Sequence, residues 1–193
     1  MRYGILKQVL LAAGLVAIAG AANAPDKGGV GQTQAAFRSD ADIAGQVWNA
    51  LATDPQYTIW DAVGFHVFNG QVYLDGAVTQ RYKKDGMERV VRMVPGVTGV
   101  SDSIRILPAS GLDDRLRVQL AWAIYGVPAF RLNGIPGGFA PVHIVVENLH
   151  VTLSGVVTTD IDKAMALLRA STTGVSFGRV IDNLQVEHRA KKL

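Results

Sequence analysis

The residue types that most often carry catalysis or bind metal are sparse in this chain. The four histidines are His66, His143, His150 and His188. They show neither an H-x-x-x-H spacing nor the neighbouring carboxylates that a metal site would need. The chain has no cysteine, which excludes a thiolate nucleophile, a disulfide and a cysteine-based zinc site. These residues predict neither a metal site nor a catalytic centre.

The serine and glycine motifs lead to the same expectation. Ser154-Gly155 and Ser176 lack the G-x-S-x-G context of a hydrolase nucleophile. The stretch "GIPGG" (134–138) is rich in glycine but lacks the lysine and the hydroxyl residue of a phosphate-binding loop. We therefore expect a protein that is not an enzyme and that uses no cofactor.

One predicted helix, within "LDDRLRVQLAWAIYGVP" (112–128), has two apolar faces. Successive helical residues turn by about 100°. One face therefore carries Leu116, Leu120, Ala123 and Ile124, and nearly the opposite face carries Val118, Trp122 and Tyr125. We expect the first face to pack on the helix's own sheet. The second face must contact the rest of the chain, another molecule or a membrane surface.

The charge beside this second face bears on what it contacts. Arg115 and Arg117 lie at the start of the helix, as contacts to lipid headgroups or to an acidic partner would require. In the alternative, Trp122 and Tyr125 fill an interface between two parts of this chain. The sequence leaves both interpretations open.

The elements that must position these residues occur twice. The first predicted helix carries apolar residues at Ile43, Val47 and Leu51, and the helix just described repeats them at Leu116, Leu120 and Ile124. The offset is 73 residues at each position. Such a regular offset indicates two copies of one unit.

A predicted hairpin follows each of these helices. The first turns at Asn69-Gly70, a dipeptide that readily adopts positive φ angles, and the second turns at Asn148-Leu149. Because leucine is a poorer turn residue than glycine, we expect the second hairpin to use a different turn. The remaining predicted elements are helices over 80–94 and 160–170 and strands within 95–107 and 173–186.

Helix, strand, strand, helix and strand thus occur twice in the same order, which predicts an α+β fold of two tandem units. The predicted ranges are a first unit at 39–107, a linker at 108–111, a second unit at 112–188 and a basic tail at 189–193. Units of about 70 residues are near the lower size limit for an independent core. We therefore expect the two units to pack together into one body.

The second copy contains an insertion between its helix and its hairpin. The offset rises from 73 at the helix to 79 at the hairpin, which places six extra residues within "RLNGIPGGFAP" (131–141). Its glycines and prolines predict a protruding loop, with Ile135 and Phe139 as apolar residues. The loop would either dip into a bilayer interface or fold back over the edge of the sheet.

The second helix of the first unit is rich in basic residues. They are Arg81, Lys83, Lys84, Arg89 and Arg92. Such residues usually form a solvated face, and a clustered set would attract anionic lipid.

The first 24 residues predict a secretory signal peptide. Arg2 and Lys7 precede the apolar run "VLLAAGLVAIAGAA" (9–22), and small residues follow it. The run is shorter than the ~20 residues that span a bilayer, so a retained anchor is the less favoured alternative. Residues 25–38 predict a flexible lead-in.

Removal of residues 1–24 takes the formal net charge from +3 to +1, because Arg2 and Lys7 are lost. A nearly neutral chain gives no reason to expect nucleic-acid binding. The absence of cysteine also excludes a lipidated N-terminal cysteine, so we expect a periplasmic protein that is not a lipoprotein and that has no transmembrane span once cleaved.

The duplicated motifs resemble those of the BON-domain family. "FNGQVYLDGAV" (68–78) with "PGVTGVSDSIRI" (95–106) matches the family's pattern of a glycine turn and a closing strand. "VENLHVTLSGVV" (146–157) with "TGVSFGRVIDNLQV" (173–186) also matches, but it lacks the turn glycine and has two extra residues before Val180. The resemblance covers about residues 40–188.

This resemblance implies two αββαβ units, each with two helices on one face of a three-stranded mixed sheet. It also implies binding rather than catalysis, because BON domains are associated with envelope integrity, osmotic stress and attachment to phospholipid. The glycines that the motifs share are expected to be structural; they are Gly70, Gly76, Gly96, Gly155 and Gly174.

The function predicted from these observations is a periplasmic binding module that associates with anionic phospholipid. The candidate contact residues are Val118, Trp122, Tyr125, Arg115, Ile135 and Phe139. Two alternatives stay open: an adaptor that docks an envelope protein on the same face, and a sensor of a small ligand or ion. The oligomeric state is not predicted.

Overall fold

The structure is a computed structural model that describes residues 38–131, 137–173 and 178–187. The predicted signal peptide, the lead-in before Arg38, Ile135 and the basic tail lie outside the described residues.

The first unit begins with α1 and follows the predicted order of elements. Its elements are α1 (Asp40–Ala52), β1 (Ala62–Phe68), β2 (Gln71–Val78), α2 (Arg81–Arg92), β3 (Gly99–Asp102) and β4 (Arg105–Ile106). β1 pairs with β2 in antiparallel fashion, and β2 pairs in parallel with both β3 and β4. The predicted closing strand is thus broken in two, and this sheet has four strands instead of three. Between the two pieces, the N–H of Ile104 donates to Asp102 Oδ1 at 2.8 Å.

The second unit repeats this topology with a continuous closing strand. Its elements are α3 (Gly111–Tyr125), β5 (His143–Glu147), β6 (His150–Val157), α4 (Asp160–Ser171) and β7 (Val180–Val186), with short 3-10 turns at Pro128–Phe130 and Gly137–Phe139 between α3 and β5. The sheet has the order β5-β6-β7, antiparallel and then parallel. The α+β fold with two αββαβ units is therefore confirmed.

Each unit has its own hydrophobic core between its two helices and one face of its sheet. In the first unit the core includes Ile43, Val47, Leu51, Val72, Leu74, Val78, Met87 and Val91. In the second it includes Leu116, Leu120, Ile124, Val151, Leu153, Val157, Ala166 and Ala170. The predicted inner faces of α1 and α3 are thus confirmed. Burial of each large aliphatic side chain contributes about 1.5–3 kcal/mol, which is why these faces orient the helices.

The two hairpins have the same kind of turn, so the expected difference between them is wrong. Asn69 and Gly70 have φ angles of 51° and 75°, and Asn148 and Leu149 have φ angles of 53° and 62°. Both central residues of each turn are therefore left-handed. Leu149 adopts this conformation at a steric cost that glycine avoids.

An aspartate on the first helix of each unit holds the turn. Asp40 accepts hydrogen bonds from the N–H groups of Asn69 and Gly70 at 2.7 and 2.8 Å. The buried Asp113 accepts in the same way from Asn148 and Leu149, at 3.0 and 2.8 Å. These charge-assisted bonds are strong enough to offset the cost of a left-handed leucine. Asp113 therefore holds the hairpin turn, and Ser110 is the N-cap residue of α3.

The two units are in contact near the start of β5. The N–H of Ile144 donates to the carbonyl of Ile59 at 2.7 Å, and the ring of His143 stacks on Tyr57 with a centroid distance of 5.1 Å. An ion pair of 2.9 Å joins Arg105 to Glu147. Both sheets also contribute to a small buried cluster of Ala77, Leu107 and Val145, against which the partly buried Ala62 packs. These contacts show that the units pack against each other as expected.

Candidate binding surface

The outer side of α3 carries a stripe of exposed side chains that runs along the helix. The α3 stripe consists of Leu112, Arg115, Val118, Gln119 and Trp122, all of which are exposed. Trp122 is 77% exposed and Val118 is 51% exposed. Arg115, Val118 and Trp122 follow Leu112 at spacings of three, three and four residues, and Gln119 lies four residues after Arg115, which places all five on one side of the helix.

Packing of the opposite side of α3 explains this orientation. Leu116, Leu120 and Ile124 are buried in the core of the second unit, so the stripe must face outwards. Ser110 accepts a hydrogen bond from the N–H of Asp113 at 3.2 Å and fixes where the helix begins. Trp122 therefore lies on a helix whose inner face is packed in the core and whose N-terminus is capped.

Tyr125 does not belong to the exposed stripe. Its ring packs against the core of the second unit, and its hydroxyl donates to the carbonyl of Val142. Burial raises the pKa of Tyr125 well above its usual value of 10. The predicted grouping of Val118, Trp122 and Tyr125 therefore holds for Val118 and Trp122 and not for Tyr125.

Arg117 is also placed differently from the sequence expectation. Its side chain is only 7% exposed, its Nη1 pairs with Asp114, and its Nη2 donates to the carbonyl of Val146 at 2.6 Å. It therefore does not belong to the α3 stripe with Arg115. Arg115 remains exposed and is the cation of the α3 stripe.

The end of the insertion folds back onto the first unit. Phe139 is 39% exposed, and its ring meets Trp48 of α1 edge to face at a centroid distance of 6.1 Å. Gly138 lies so close to α1 that a Cβ on it would be 2.5 Å from the Cα of Ala52. Phe139 thus covers a helix of the first unit instead of the edge of a sheet, and it is not grouped with the α3 stripe. Ile135 lies outside the described residues.

A shallow apolar groove adjoins the α3 stripe. It is lined by Ile59 of the first unit and by Ala121, Trp122, Tyr125 and Gly126 of α3. Sequence reasoning missed Ile59, because nothing in the pattern indicates which part of the first unit meets α3. It also missed Leu112, although its spacing of three residues from Arg115 was a usable signal.

The basic residues of α2 do not form one free cationic face. Lys83 is buried and pairs with Asp61, Lys84 Nζ donates to the carbonyl of Ile104 at 2.7 Å, and Arg92 pairs with Glu88. The remaining two, Arg81 and Arg89, are exposed. Three of these five basic side chains are therefore bound to partners within the first unit.

A repeated contact explains Lys84. It lies 3.6 Å from Asp102 in the first unit, and Lys163 lies 2.9 Å from Asp182 in the second. Each lysine also donates to a carbonyl of its closing strand. This lysine is thus a structural residue that ties the second helix to the closing strand in both copies.

The described residues contain no group of three or more histidine, cysteine, aspartate and glutamate side chains that could hold a metal ion. Within the same residues, no helix is long and apolar enough to cross a membrane.

Comparison with protein families decides what the duplicated unit is. The BON-domain family model matches residues 39–108 and 132–188, which is more than half of the chain. The chain belongs to the BON-domain family. The second BON match begins after α3, so the helix with the exposed stripe lies outside the matched part. BON domains are in general binding modules without enzymatic activity, and membership supports a module of the periplasm or cell envelope.

No curated protein matches this BON chain. Among solved structures it is similar to the C-terminal domain of CdsD, a structural protein of the type III secretion system of Chlamydia trachomatis, at 17% identity and a TM-score of 0.30, covering 78% of this chain and 67% of that one. A second CdsD structure gives 16% identity and a TM-score of 0.28, covering 76% of this chain and 94% of that one. At these TM-scores we draw nothing about function from CdsD.

Proposed function

We propose that this BON protein associates peripherally with anionic phospholipid of the cell envelope through the α3 stripe. The observation that carries the proposal is the exposure of Trp122 on a helix whose other side is fully packed. Tryptophan and neighbouring aliphatic side chains favour the boundary between lipid headgroups and acyl chains. A helix that lies in this boundary needs an apolar stripe, and α3 offers Leu112, Val118 and Trp122.

The charge of the stripe determines how much electrostatic attraction should contribute to vesicle binding compared with apolar burial. Arg115 is its one cation, and a basic residue near an anionic surface contributes about 1 kcal/mol. Burial of a large apolar side chain contributes about 1.5–3 kcal/mol. We therefore expect vesicle binding that depends mainly on Trp122 and only modestly on salt.

The test is cosedimentation of residues 25–193 with vesicles of phosphatidylglycerol and of phosphatidylcholine. Wild type should bind the anionic vesicles more strongly, and Trp122→Ala should weaken that binding by about tenfold or more, as loss of at least 1.4 kcal/mol requires. Phe68→Ala is the matched control, because Phe68 is an aromatic side chain that is 63% exposed on the first unit. Circular dichroism and thermal unfolding would establish that all variants are folded.

The competing function is an adaptor that docks an envelope protein on the same stripe. The single cation of the stripe favours this alternative, since a stronger basic face would be expected of a purely electrostatic membrane contact. Absence of wild-type binding to anionic vesicles would exclude the phospholipid proposal and would favour the adaptor function. Equal losses in Trp122→Ala and Phe68→Ala would exclude the α3 stripe as the lipid contact.

A further inference from the structure

A second candidate site lies between the two units, away from the α3 stripe. A groove of about 340 Å³ is bounded by the start of α2, by residues 106–109 and by Asp114 and Arg117 of α3. Arg117 and Trp122 are five residues apart on α3 and therefore project from different sides of the helix. A ligand in this groove would not occupy the α3 stripe.

The start of α2 is electropositive and has no capping group. Gln80 makes no side-chain hydrogen bond to the helix, and the first turn has no acidic residue. Arg81, the first helical residue, lines the groove and is exposed. The first N–H groups of a helix have no partner within the helix, and with the helix dipole they favour an anion. Water could satisfy these N–H groups, so the start of α2 does not by itself indicate an anion site.

Arg117 supplies an independent reason to expect an anion. It lines the same groove, its side chain is 93% buried, and its Nε has no hydrogen-bond acceptor among the described residues. Its carboxylate partner, Asp114, is 67% exposed and can turn towards solvent. A buried guanidinium with an unused N–H group favours an oxyanion that can accept several hydrogen bonds. Arg81, Arg117 and Asp114 together leave a charge of +1 in the groove.

We propose that this groove binds a phosphate group, either as free phosphate or as the phosphate monoester of a small molecule or lipid. Arg81 and the first turn of α2 contact it from one unit, and Arg117 contacts it from the other. Asp114 competes with the anion for Arg117. The site is distinct from the α3 stripe, so it goes beyond the proposed association with phospholipid through Trp122.

The first experiment titrates inorganic phosphate into the full chain at constant ionic strength, with two-dimensional NMR of the backbone amides as readout. We expect saturable shifts at Arg81 and Tyr82 in α2 and near Arg117. Arg81→Gln should weaken phosphate binding by about tenfold, as loss of a charge-assisted contact predicts. The matched control is Arg89→Gln, since Arg89 is exposed on the last turn of α2 and does not line the groove.

Asp114→Asn should change the affinity for phosphate in the opposite direction. It removes the competing carboxylate while it keeps a side chain of similar size, and it should tighten phosphate binding several-fold. Saturation by phosphate that is weakened by Arg81→Gln, tightened by Asp114→Asn and unchanged by Arg89→Gln supports the site. Equal effects of the two arginine variants, or weaker binding in Asp114→Asn, would overturn it.

A second arm separates the two sources of phosphate. Vesicles that contain phosphatidic acid present a phosphate monoester, and binding to them that Arg81→Gln weakens and Arg89→Gln does not would assign the groove to a lipid headgroup. Shifts with inorganic phosphate alone would assign it to a soluble ligand. Absence of groove-dependent binding in both arms overturns the proposal. Trp122→Ala should leave the phosphate titration unchanged, so failure of the α3 stripe as a lipid contact is distinguishable from failure of this groove.

Discussion

Lys83 Nζ lies 2.6 Å from Asp61 Oδ2, and both side chains are buried in the first unit. Asp61 also accepts hydrogen bonds from the backbone N–H and hydroxyl groups of Thr58 and Thr79. The carboxylate is therefore fully satisfied, and it joins the segment before β1 to the segment after β2. At the matching position of its helix the second unit has Asp162, which completes a capping box with Thr159.

Lys83→Met should destabilise the protein strongly. It removes one partner of a buried ion pair and leaves Asp61 charged without its cation, which typically costs about 3–5 kcal/mol. Arg92→Met on the same helix removes the exposed partner of Glu88 and should cost less than about 1 kcal/mol. Urea unfolding of both variants measures the difference. Similar losses of stability in the two variants would show that burial does not determine how much each ion pair stabilises the protein.

Stability should fall as the pH decreases below about 6.5, because of His143. Burial lowers the pKa of His143 in the folded protein, although hydrogen bonds to the backbone of Asp61 and Thr58 and the charge of Asp61 oppose the shift. Below the unfolded pKa of about 6.5, the unfolded chain takes up a proton that the folded protein resists. The loss from this residue is at most about 1.4 kcal/mol per pH unit.

The measurement is the free energy of unfolding between pH 7.5 and 5.5 for wild type and His143→Phe. Phenylalanine keeps an aromatic ring against Tyr57 and cannot titrate, so the slope in this range should become shallower. An unchanged slope in His143→Phe would contradict the prediction.

Asp113→Ala should destabilise the second hairpin by at least about 2 kcal/mol. The variant loses two charge-assisted hydrogen bonds, each of which contributes about 1.5–3 kcal/mol. It also leaves Leu149 in a left-handed conformation without the bonds that offset its cost. Asp40→Ala should cost less, because Gly70 occupies the matching position of the first turn.

A double-mutant cycle with Leu149→Gly tests this reasoning. Glycine removes the steric cost, so the double variant Asp113→Ala with Leu149→Gly should be more stable than Asp113→Ala alone. A double variant no more stable than Asp113→Ala alone would show that the left-handed Leu149 carries no steric cost.

Gly138→Ala should loosen the insertion from the first unit. The added Cβ would lie 2.5 and 2.6 Å from the Cα and carbonyl oxygen of Ala52, and backbone atoms cannot give way cheaply. The exposed Arg131 should then be cleaved faster by trypsin under native conditions. Gly111→Ala is the control, since nothing lies within 4 Å of a Cβ at that position. Equal trypsin cleavage rates in the two variants would contradict the close approach at Gly138.

The architecture was predictable because it depends on periodicity within single elements. The spacing of Ile43, Val47 and Leu51 identifies a buried face whatever packs against it, and the repeat at Leu116, Leu120 and Ile124 identifies the second copy. The shared motifs added the order of the strands. These signals are local in the sequence, and the structure confirms them.

The composition of the candidate site was only partly predictable, because it depends on partners that are distant in sequence. A helical projection places Tyr125 beside Val118, but the tyrosine hydroxyl needs an acceptor and finds the carbonyl of Val142. In the sequence, Lys83 belongs to a run of basic residues that predicts a solvated face. In the structure it is buried and paired with Asp61, which is distant in sequence. Leu149 appears unsuited to its turn until Asp113 is seen to hold it.

The contact of the Gly137–Phe139 turn with α1 makes the two halves of this chain unequal partners. Ala52 and Tyr57 of the first unit are buried, and Gly137 and Gly138 of the second unit lie directly against them. An isolated first half would expose this apolar patch to water, and a tandem array built only from first halves would have no turn to cover it. The two halves are thus complementary, and separating them would leave the first with apolar surface that the second now covers.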